Sequence, residues 1–312
     1  MISPIPLQQV GQTSLMVPQI GLGTAPLGGL YAPVPRDEAI ATVHAALDAG
    51  ITLLDTAPHY GAGESERQLG AALVGVPRER YRLATKVGRT ITTDGRSVKD
   101  FTRDGVLRGI EGSLDRLGID RIDILHIHDP DDDYRAALDI VFPILAELRA
   151  AGTIGAIGVG MNQWEMLADF ARDAAIDCLL LAGRYTLLEH GALPILLPRC
   201  QERGISVFLG GVYNSGILAT GPQPGAKYNY RDAPPPVLER VNRLATVCAR
   251  RDVPLAHAAI QFPLAHPAVS SLIVGARSPA EVAALVAAYQ HPAPPALWHD
   301  LHAASLIPAG TV

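Results

Sequence analysis

The chain has 312 residues, a formal net charge of −5 and a hydrophobic content of 48%, so it carries enough apolar side chains to bury a large core. A weakly acidic chain without basic runs argues against nucleic acid or an anionic membrane as a main partner. Its 3 cysteines show no paired spacing, and neither a signal peptide nor a membrane-spanning stretch is recognisable. We therefore expect a soluble, cytoplasmic protein.

Short apolar segments alternate with longer amphipathic ones along the chain. Gly11-Gln12-Thr13 separates two short alternating segments, which predicts an N-terminal β-hairpin. Eight later segments have the length and composition of buried strands, at residues 20–24, 52–55, 83–86, 122–128, 156–160, 178–182, 205–210 and 271–275. The segments between them, such as 36–49, 103–118 and 134–152, have helical periodicity. Residues 211–236, rich in glycine and proline, predict a long loop after the seventh strand.

Eight strand–helix units over about 250 residues predict an α/β fold, a closed (β/α)8 TIM barrel with the hairpin capping its bottom. No linker divides the chain, so we expect a single domain over residues 1–312. The rival is an open dinucleotide-binding sheet, which needs G-x-G-x-x-G between a strand and a helix. Pro26 and Gln163 stand where the third glycine of the two closest matches should be. The barrel is therefore favoured.

Four polar residues are expected to meet at one end of this barrel. Asp55, Lys86 and His128 end the second, third and fourth predicted strands, and Tyr60 follows in the loop after the second. Strand ends of a barrel form one rim, and the alternation of side chains lets all three strand-end groups face one pocket. Each residue alone is explained by a cap, a turn or a surface position. Their joint occurrence favours a catalytic site.

The chemistry of this set is specific. A free tyrosine has a pKa near 10, too high for an efficient acid or base at neutral pH. A neighbouring ammonium such as that of Lys86 lowers this pKa, and Asp55 would hold the lysine in place. With His128 orienting a substrate oxygen, Tyr60 could exchange a proton while a hydride moves at the adjacent carbon. The residues thus predict an oxidoreductase.

Several motifs resemble the aldo-keto reductase family: D-T-A-x-x-Y at 55–60, T-K at 85–86, HIHD at 126–129, AGTIGAIGVG at 151–160 and IVGARSPAEV at 273–282. A second set resembles, within that family, the aldose 1-dehydrogenases of the L-fucose and D-threo-aldose type, close to pyridoxal 4-dehydrogenase. This set is LLDTAPHYGAGESE, HIHDPD, GVGMNQ, AGRYTLLEHGAL and NSGILATG. The resemblance implies oxidation of a sugar hemiacetal at C1 to a lactone, with Tyr60 as base and nicotinamide as hydride acceptor. Pyridoxal oxidation and general reduction of aldehydes or ketones are the alternatives with the same four residues.

The resemblance also implies a cofactor site, with candidates Gly23, Thr24, Asp55, Asn162, Asn214, Ser215, Gly216, Leu218, Gly275, Arg277, Ser278 and Glu281. Asn162 matches the asparagine that holds the nicotinamide carboxamide. Residues 214–216 match the pyrophosphate loop, with Leu218 packing beneath. Where the family often stacks an aromatic ring on the nicotinamide, this chain has Gly210, so Tyr213 is the candidate replacement.

The adenosine end of that site predicts a preference for NAD, with NADP possible. Gly275 and Glu281 stand where NADP-preferring members carry a basic residue and an arginine. A carboxylate repels a 2′-phosphate but accepts a hydrogen bond from a free 2′-hydroxyl. Arg277 acts in the opposite direction, since a guanidinium attracts phosphate. The Glu-Asn pair with which the family usually contacts adenine is replaced by Ala284-Leu285.

The substrate pocket is less legible, and four loop residues are its candidates: Tyr31, His59, Asp129 and Trp164. A zinc-dependent barrel hydrolase is a remote alternative, because His126 and His128 share one strand face. The fifth to eighth strands supply no further ligand, so we expect no metal. A non-catalytic nucleotide sensor is the other alternative, although a pure binder has no use for a lysine beside a phenol.

Overall fold

The computed structural model describes residues 4–30 and 32–312. Its strands, in chain order, are β1 (Leu7–Gln9), β2 (Met16–Pro18), β3 (Ile20–Gly23), β4 (Leu53–Asp55), β5 (Arg82–Val87), β6 (Arg89–Ile91), β7 (Ser97–Lys99), β8 (Ile122–His128), β9 (Ile154–Met161), β10 (Cys178–Ala182), β11 (Ser206–Gly210), β12 (Lys227–Tyr228), β13 (Arg231–Asp232) and β14 (Val269–Gly275). Its α-helices are α1 (Arg36–Asp48), α2 (Glu64–Leu73), α3 (Arg103–Leu117), α4 (Tyr134–Ala136), α5 (Phe142–Ala150), α6 (Trp164–Asp173), α7 (Leu196–Arg203), α8 (Ile217–Thr220), α9 (Pro235–Ala249), α10 (Leu255–Leu264), α11 (Pro279–Gln290) and α12 (Pro295–Ala303).

Eight parallel strands close into a barrel in the order β3, β4, β5, β8, β9, β10, β11 and β14, and β14 pairs back with β3. The predicted (β/α)8 barrel is confirmed, and the open dinucleotide-binding sheet is excluded. All eight predicted strands are present, with β8 and β10 at the predicted bounds and the others within two residues of them. Continuous apolar runs identified these strands because both faces of a parallel sheet are buried.

Side chains alternate between two apolar layers. Leu53 points into the barrel, where it packs with Ala84 and Ile124 of the next two strands. Leu54 points outward into the larger layer between barrel and helices. Burial of both layers removes apolar surface from water and fixes the direction of each strand's side chains. Asp55 therefore shares the inward direction of Leu53.

The predicted N-terminal hairpin is confirmed, because β1 and β2 pair antiparallel. Val10 and Val17 are fully buried and pack into the barrel interior. The Gly11 N–H donates to Ser206 Oγ at 2.9 Å, at the first residue of β11. Gly11 has φ +53°, and an added Cβ would lie 2.5 Å from the Asp177 carbonyl oxygen, so the turn requires glycine here. The hairpin closes the bottom of the barrel.

The predicted helix over residues 134–152 is continuous from Tyr134 to Ala150 but is not a regular α-helix. It consists of α4, a π-helical turn at Ala137–Val141, and α5. Pro143 lies in the first turn of α5 and lacks the N–H that a regular α-helix would direct back to the preceding turn. A π turn accommodates such a missing donor. The sequence periodicity therefore predicted the helix correctly but not the π turn within it.

The glycine- and proline-rich loop follows β11, as predicted, and contains α8 and the short hairpin of β12 and β13. It lies at the C-terminal end of the barrel strands, the end at which barrel loops form binding sites. Among the described residues, no helix combines the length and apolar character needed to span a membrane.

Candidate active site

The carboxyl ends of β4, β5 and β8 place three charged or polar side chains at one point of the rim. Lys86 Nζ donates to Asp55 Oδ1 at 2.7 Å and to the Thr56 carbonyl oxygen at 2.8 Å. The Lys86 and Asp55 side chains are only 1% and 4% exposed. A carboxylate and an ammonium are tolerated at this depth because each satisfies the other.

Tyr60 reaches the same point from the loop after β4. Lys86 Nζ lies 4.7 Å from the centroid of the Tyr60 ring. The His128 ring meets the Tyr60 ring edge-on, with the centroids 5.9 Å apart. The structure thus brings together all four residues predicted to form the reaction centre.

The buried ion pair keeps Lys86 charged. Burial by itself lowers the pKa of the Lys86 ammonium, but Asp55 and Tyr60 together outweigh burial and raise it. Burial likewise raises the pKa of the Asp55 carboxyl, and the Lys86 charge opposes that rise. Because the two groups are 2.7 Å apart, we assign the charged state to both.

The pKa of the Tyr60 phenol is shifted in the direction opposite to the one expected from the sequence. Burial, the largest effect, raises its pKa above the ordinary value of 10.0, and the Lys86 charge lowers it by less. Lys86 acts in the predicted direction, but the prediction omitted the desolvation of the phenol, which disfavours the phenolate. Tyr60 in the protein alone is therefore a protonated phenol at neutral pH.

His128 is a neutral imidazole. Burial, followed by the charges of Lys86 and Arg89, holds its pKa well below 6.5. Its Nδ1 is buried without a protein partner, and its Nε2 lies 3.6 Å from Asp129 Oδ2, too far for a hydrogen bond. A neutral imidazole at this place can donate one hydrogen bond to a substrate oxygen without adding a charge.

Two connected cavities open at the rim. The first, named here the long groove, has a volume of ≈ 260 Å³ and runs from Asp55 and Tyr60 to Gly275 at the end of β14. The second, the deep pocket, has a volume of ≈ 380 Å³ and contains Lys86 and His128. Both cavities are lined by the residues Ala25, Leu30, Tyr60, Leu180, Ala182 and Tyr230. Tyr60 therefore stands where the two cavities meet.

Glycines form much of the wall of the long groove. Gly23, Gly210, Gly216 and Gly275 line it, so the backbone can approach a ligand closely without side chains in between. At Gly275 an added Cβ would lie 2.8 Å from Pro26 Cγ, so a larger residue would narrow the groove there. One end reaches the candidate proton carrier, as a nicotinamide ring would need to.

Comparison with known proteins decides the family. The model of the Aldo/keto reductase family matches residues 19–305. The chain belongs to the aldo-keto reductase family. As a member it is an oxidoreductase that uses NAD or NADP on small-molecule substrates.

Two characterised relatives of this aldo-keto reductase are similar to it over nearly their full lengths. Pyridoxal 4-dehydrogenase from Microbacterium luteolum is 40% identical, covering 96% of this chain and 97% of the relative. D-threo-aldose 1-dehydrogenase from Pseudomonas sp is 41% identical, covering 94% and 96%. Among solved structures, the holo form of aldo-keto reductase AKR11C1 from Bacillus halodurans has a TM-score of 0.82 and 27% identity, covering 99% of this chain and 98% of that one.

The residues expected at the cofactor site fall into three groups. Gly23, Asp55, Ser215, Gly216 and Gly275 line the long groove, and Asn162 lines the deep pocket. The second group is enclosed by protein. These are Thr24 and Leu218, both 0% exposed, and Asn214, whose side chain binds Thr186 Oγ1 and the Gly183 carbonyl. Leu218 packs in the core, and Asn214 and Thr24 stabilise the loops around the groove. The third group, Arg277, Ser278 and Glu281, lines neither cavity.

More than one tyrosine that could stack on a ligand lines the long groove. Tyr213, the predicted replacement for a stacking ring, lines the long groove beside Gly210. Burial raises the pKa of Tyr213 to about 12, so it remains neutral. Tyr230, in the turn between β12 and β13, lines both cavities and was not singled out from the sequence. Its signal was the Asn-Tyr turn in KYNYRD, inside the loop already expected at the rim.

Arg277 and Glu281, which sequence reasoning set against each other, are paired. Arg277 Nη2 donates to Glu281 Oε1 at 3.1 Å, and the Arg277 backbone N–H donates to Glu281 Oε2 at 2.9 Å. Ser278 caps α11, since its hydroxyl accepts from the Glu281 N–H. The guanidinium beyond β14 is therefore already bound to a carboxylate.

Of the predicted substrate residues, two line the deep pocket and one does not. His59 and Asp129 line the deep pocket. Asp129 Oδ2 also lies 3.7 Å from Arg89 Nη2, a residue that sequence reasoning missed. Trp164 begins α6 and packs against Gly191, outside the residues that line the pocket. Tyr31 lies outside the described residues.

A second histidine is enclosed beneath the rim. His126 is 0% exposed, burial lowers its pKa to about 3, and neither ring nitrogen has a protein partner. Its ring fills the space beside Gly158, where an added Cβ would lie 2.2 Å from His126 Nδ1. Within the described residues no three His, Cys, Asp or Glu side chains converge as metal ligands.

Proposed function

We propose that the chain oxidises the C1 hemiacetal of an aldose to a lactone, with Tyr60 as the general base. One observation carries the proposal: the Lys86 ammonium lies 2.7 Å from Asp55 Oδ1 and 4.7 Å from the Tyr60 ring centroid, where two cavities meet. A buried ammonium beside a phenol stabilises the phenolate, which is the form that accepts a proton.

Each residue then has one task. A nicotinamide dinucleotide in the long groove would supply the acceptor for the hydride from C1. Tyr60 takes the proton of the C1 hydroxyl as the C1–H bond breaks and the C1–O bond becomes a carbonyl. Lys86 stabilises the phenolate, and Asp55 fixes the lysine. The neutral His128 donates a hydrogen bond to the same substrate oxygen and thereby orients it.

The paired Arg277 and Glu281 support a preference for NAD over NADP. A 2′-phosphate would need to replace Glu281 as the partner of Arg277, and it would be repelled by the same carboxylate. A free 2′-hydroxyl can instead donate to Glu281 and leave the pair intact. NADP is therefore expected to bind more weakly.

The deep pocket combines polar and apolar walls that suit a sugar ring. Asp129 and His59 offer groups that hydrogen-bond to hydroxyls, and Met161, Leu180 and Tyr230 offer apolar contact. Pockets of this kind bind through apolar area and take orientation from a few polar groups. We propose Asp129 and His59 as the residues that bind sugar hydroxyls.

A substrate panel tests the assignment. The purified enzyme is assayed with L-fucose, D-arabinose, L-galactose, L-xylose, pyridoxal and simple aldehydes, each with NAD, NADP and their reduced forms. We expect the highest kcat/KM for an aldose with NAD, and a lactone as the product detected by mass spectrometry. If the enzyme oxidises none of the aldoses, the aldose assignment is wrong. The role of Tyr60 as proton carrier is tested separately, with the Tyr60→Phe variant.

Pyridoxal oxidation is the second candidate. Its support is the 40% identity to a pyridoxal 4-dehydrogenase, which is nearly equal to the 41% identity to the aldose enzyme. Leu30, Met161 and Tyr230 around the deep pocket could also enclose a flat aromatic ring. A kcat/KM for pyridoxal above that of every aldose in the panel would select this function.

We further propose a single-domain, cytoplasmic enzyme that acts on small molecules and not on nucleic acid or membranes. The barrel strands run from Ile20 to Gly275 around one closed sheet. Cys178, Cys200 and Cys248 are all free and buried, as suits a reducing compartment. The net charge of −5 offers no attraction to phosphate backbones.

A further inference from the structure

Three buried hydroxyls meet directly behind the Tyr60 loop. Thr24, Thr56 and Ser65 are each 0% exposed. Ser65 Oγ donates to the Thr24 carbonyl at 2.7 Å, and the Thr24 and Thr56 hydroxyls lie 2.7 and 3.0 Å from Ser65 Oγ. Because the one proton of Ser65 is used on a carbonyl, Thr56 is the donor in its contact with Ser65. The one proton of the Thr24 hydroxyl has two acceptors within reach, Ser65 Oγ and the Asp55 carbonyl oxygen. We name these three residues the hydroxyl cluster.

The hydroxyl cluster is connected to Tyr60 and to its two charged neighbours, Asp55 and Lys86. The Thr56 carbonyl accepts a hydrogen bond from Lys86 Nζ at 2.8 Å. The Asp55 carbonyl accepts from the Thr24 N–H at 2.8 Å and lies 3.0 Å from the Thr24 hydroxyl. The Ser65 N–H donates to the Tyr60 carbonyl at 3.2 Å. One serine therefore links the segments that carry the carboxylate, the lysine's second acceptor and the phenol.

The neighbouring residue extends the same anchorage to β5. Glu66 is 0% exposed, and its two carboxylate oxygens accept from Thr85 Oγ1 and Arg116 Nε, each at 2.7 Å. Thr85 directly precedes Lys86 on β5. The first turn of α2 is thus fixed to β4 through Ser65 and to β5 through Glu66.

The Tyr60 loop itself has little room to adjust. An added Cβ on Gly28 would lie 2.9 Å from the Tyr60 carbonyl carbon, and one on Gly61 would lie 2.2 Å from the Gly28 carbonyl oxygen. Backbone therefore packs directly on backbone at both positions. The loop that carries Tyr60 is therefore closely packed on both sides of this residue.

We propose that Ser65 is a positioning residue, whose hydroxyl holds the Tyr60 phenol at the distance from the Lys86 ammonium that proton transfer requires. This role rests on the proposed function, because it acts only through Tyr60. Ser65 lines neither cavity and touches no reacting atom. The chemical classes involved are a buried serine hydroxyl and the two threonine hydroxyls that it orders.

The pH profile separates positioning from general stabilisation. The charged and titratable groups around the phenol are Lys86, Asp55 and Asp129, with His128 against the ring. Lys86 is the one that favours the phenolate, so a longer distance between Lys86 and Tyr60 makes the phenol harder to ionise. Oxidation needs the phenolate, so its acid limb would move to higher pH. A change in the folded fraction alone would lower activity equally at every pH.

Ser65→Ala is the primary variant, and Ser271→Ala is its matched control. Ser271 is also 0% exposed, and its hydroxyl also donates to a backbone carbonyl, that of Pro18 at 2.8 Å, but it lies on β14 away from Tyr60. We expect Ser65→Ala to lower kcat for oxidation at neutral pH about 10- to 100-fold and to raise the apparent pKa of the acid limb by about one unit. The KM for NAD should change by less than about twofold.

A second pair covers the case in which Ser65→Ala does not fold. Thr56→Val removes the hydroxyl at nearly constant shape, and Thr56→Ser keeps it. We expect Thr56→Val to shift the acid limb in the same direction and Thr56→Ser to restore the wild-type profile. A profile that is scaled down equally at all pH values in Ser65→Ala and Thr56→Val, as in Ser271→Ala, would overturn the positioning role.

The Tyr60→Phe variant, assayed in the same series, distinguishes this failure from a failure of the proposed function. Loss of turnover in Tyr60→Phe together with an unshifted Ser65→Ala profile rejects the role of Ser65 alone. Wild-type turnover in Tyr60→Phe rejects the proposed function, and the role of Ser65 falls with it.

Discussion

One ion pair lies at the inner end of the long groove, where Asp55 lines it, and another lies in the segment after Gly275, which we call the outer end. The two pairs differ in what surrounds them. At the inner end, Lys86 and Asp55 are 1% and 4% exposed and 2.7 Å apart. At the outer end, Arg277 and Glu281 are 44% and 42% exposed and 3.1 Å apart. Water and salt screen the outer pair, whereas the inner pair acts on its neighbours at low dielectric. The inner pair can therefore shift the pKa of the neighbouring phenol, whereas the screened outer pair acts only on a group in direct contact with it.

The largest effect on kcat should follow removal of the Tyr60 hydroxyl, the group on which the inner pair acts. Tyr60→Phe deletes the phenolic oxygen and keeps the ring against His128. We expect kcat for aldose oxidation to fall about 10²- to 10⁴-fold, the usual contribution of a general base. Affinity for NAD, measured by fluorescence titration, should stay within about twofold, because the loss concerns the transition state. Turnover near the wild-type level would contradict Tyr60 as the base.

Removing the cation from each pair should separate their contributions to stability. Lys86→Met leaves Asp55 buried without its partner, and we expect the free energy of unfolding to fall by about 3–5 kcal/mol. Arg277→Met, the matched change at the outer pair, should cost about 1 kcal/mol or less. Urea denaturation of both variants measures the difference. Equal losses would show that burial does not distinguish the two pairs.

The rate of oxidation and the rate of reduction should depend on pH in opposite ways. Burial raises the pKa of the Tyr60 phenol above 10.0, so the phenolate fraction grows as pH rises through neutrality. Oxidation needs the phenolate and should accelerate with pH, by up to about tenfold per unit on the acid limb. Reduction needs the phenol and should slow at alkaline pH. His128, with its pKa well below 6.5, should add no limb near neutrality. Initial rates in both directions test this.

The smallest effect is expected at the outer end, and it concerns cofactor choice. Glu281→Gln removes the carboxylate and frees Arg277, while Glu281→Arg adds a second cation. We expect the ratio of kcat/KM for NADP to that for NAD to rise about tenfold in the first variant and more in the second. Stability should change by less than about 0.5 kcal/mol. A wild-type enzyme that already prefers NADP would contradict the proposed preference.

Strand patterns made the inner end predictable. Asp55, Lys86 and His128 each follow an apolar run whose period fixes the direction of the last side chain. The closed barrel then brings three successive strand ends together, so position in the sequence determined position in space. The loop residue Tyr60 was placed by the motif, since periodicity carries no information about loops.

The remaining features depend on contacts between distant parts of the chain. The net direction of the Tyr60 pKa follows from how much protein surrounds the phenol, which the sequence does not state. Residues 277 and 281 were each assigned a separate effect, and their pairing appeared only with the geometry of α11. Tyr230 reaches the cavities through a hairpin of two-residue strands, too short to produce a recognisable pattern.

His126 and Gly158 occupy one volume between them, since the imidazole stands where a side chain at position 158 would begin. A side chain larger than hydrogen at position 158 is consequently accommodated only if residue 126 is made smaller. Gly158→Ala alone should destabilise the barrel, and trimming the ring in His126→Ala should make room for the methyl group, so that the double variant recovers part of the loss. Trimming residue 126 alone enlarges the floor of the barrel, whereas any enlargement of residue 158 needs that trimming first.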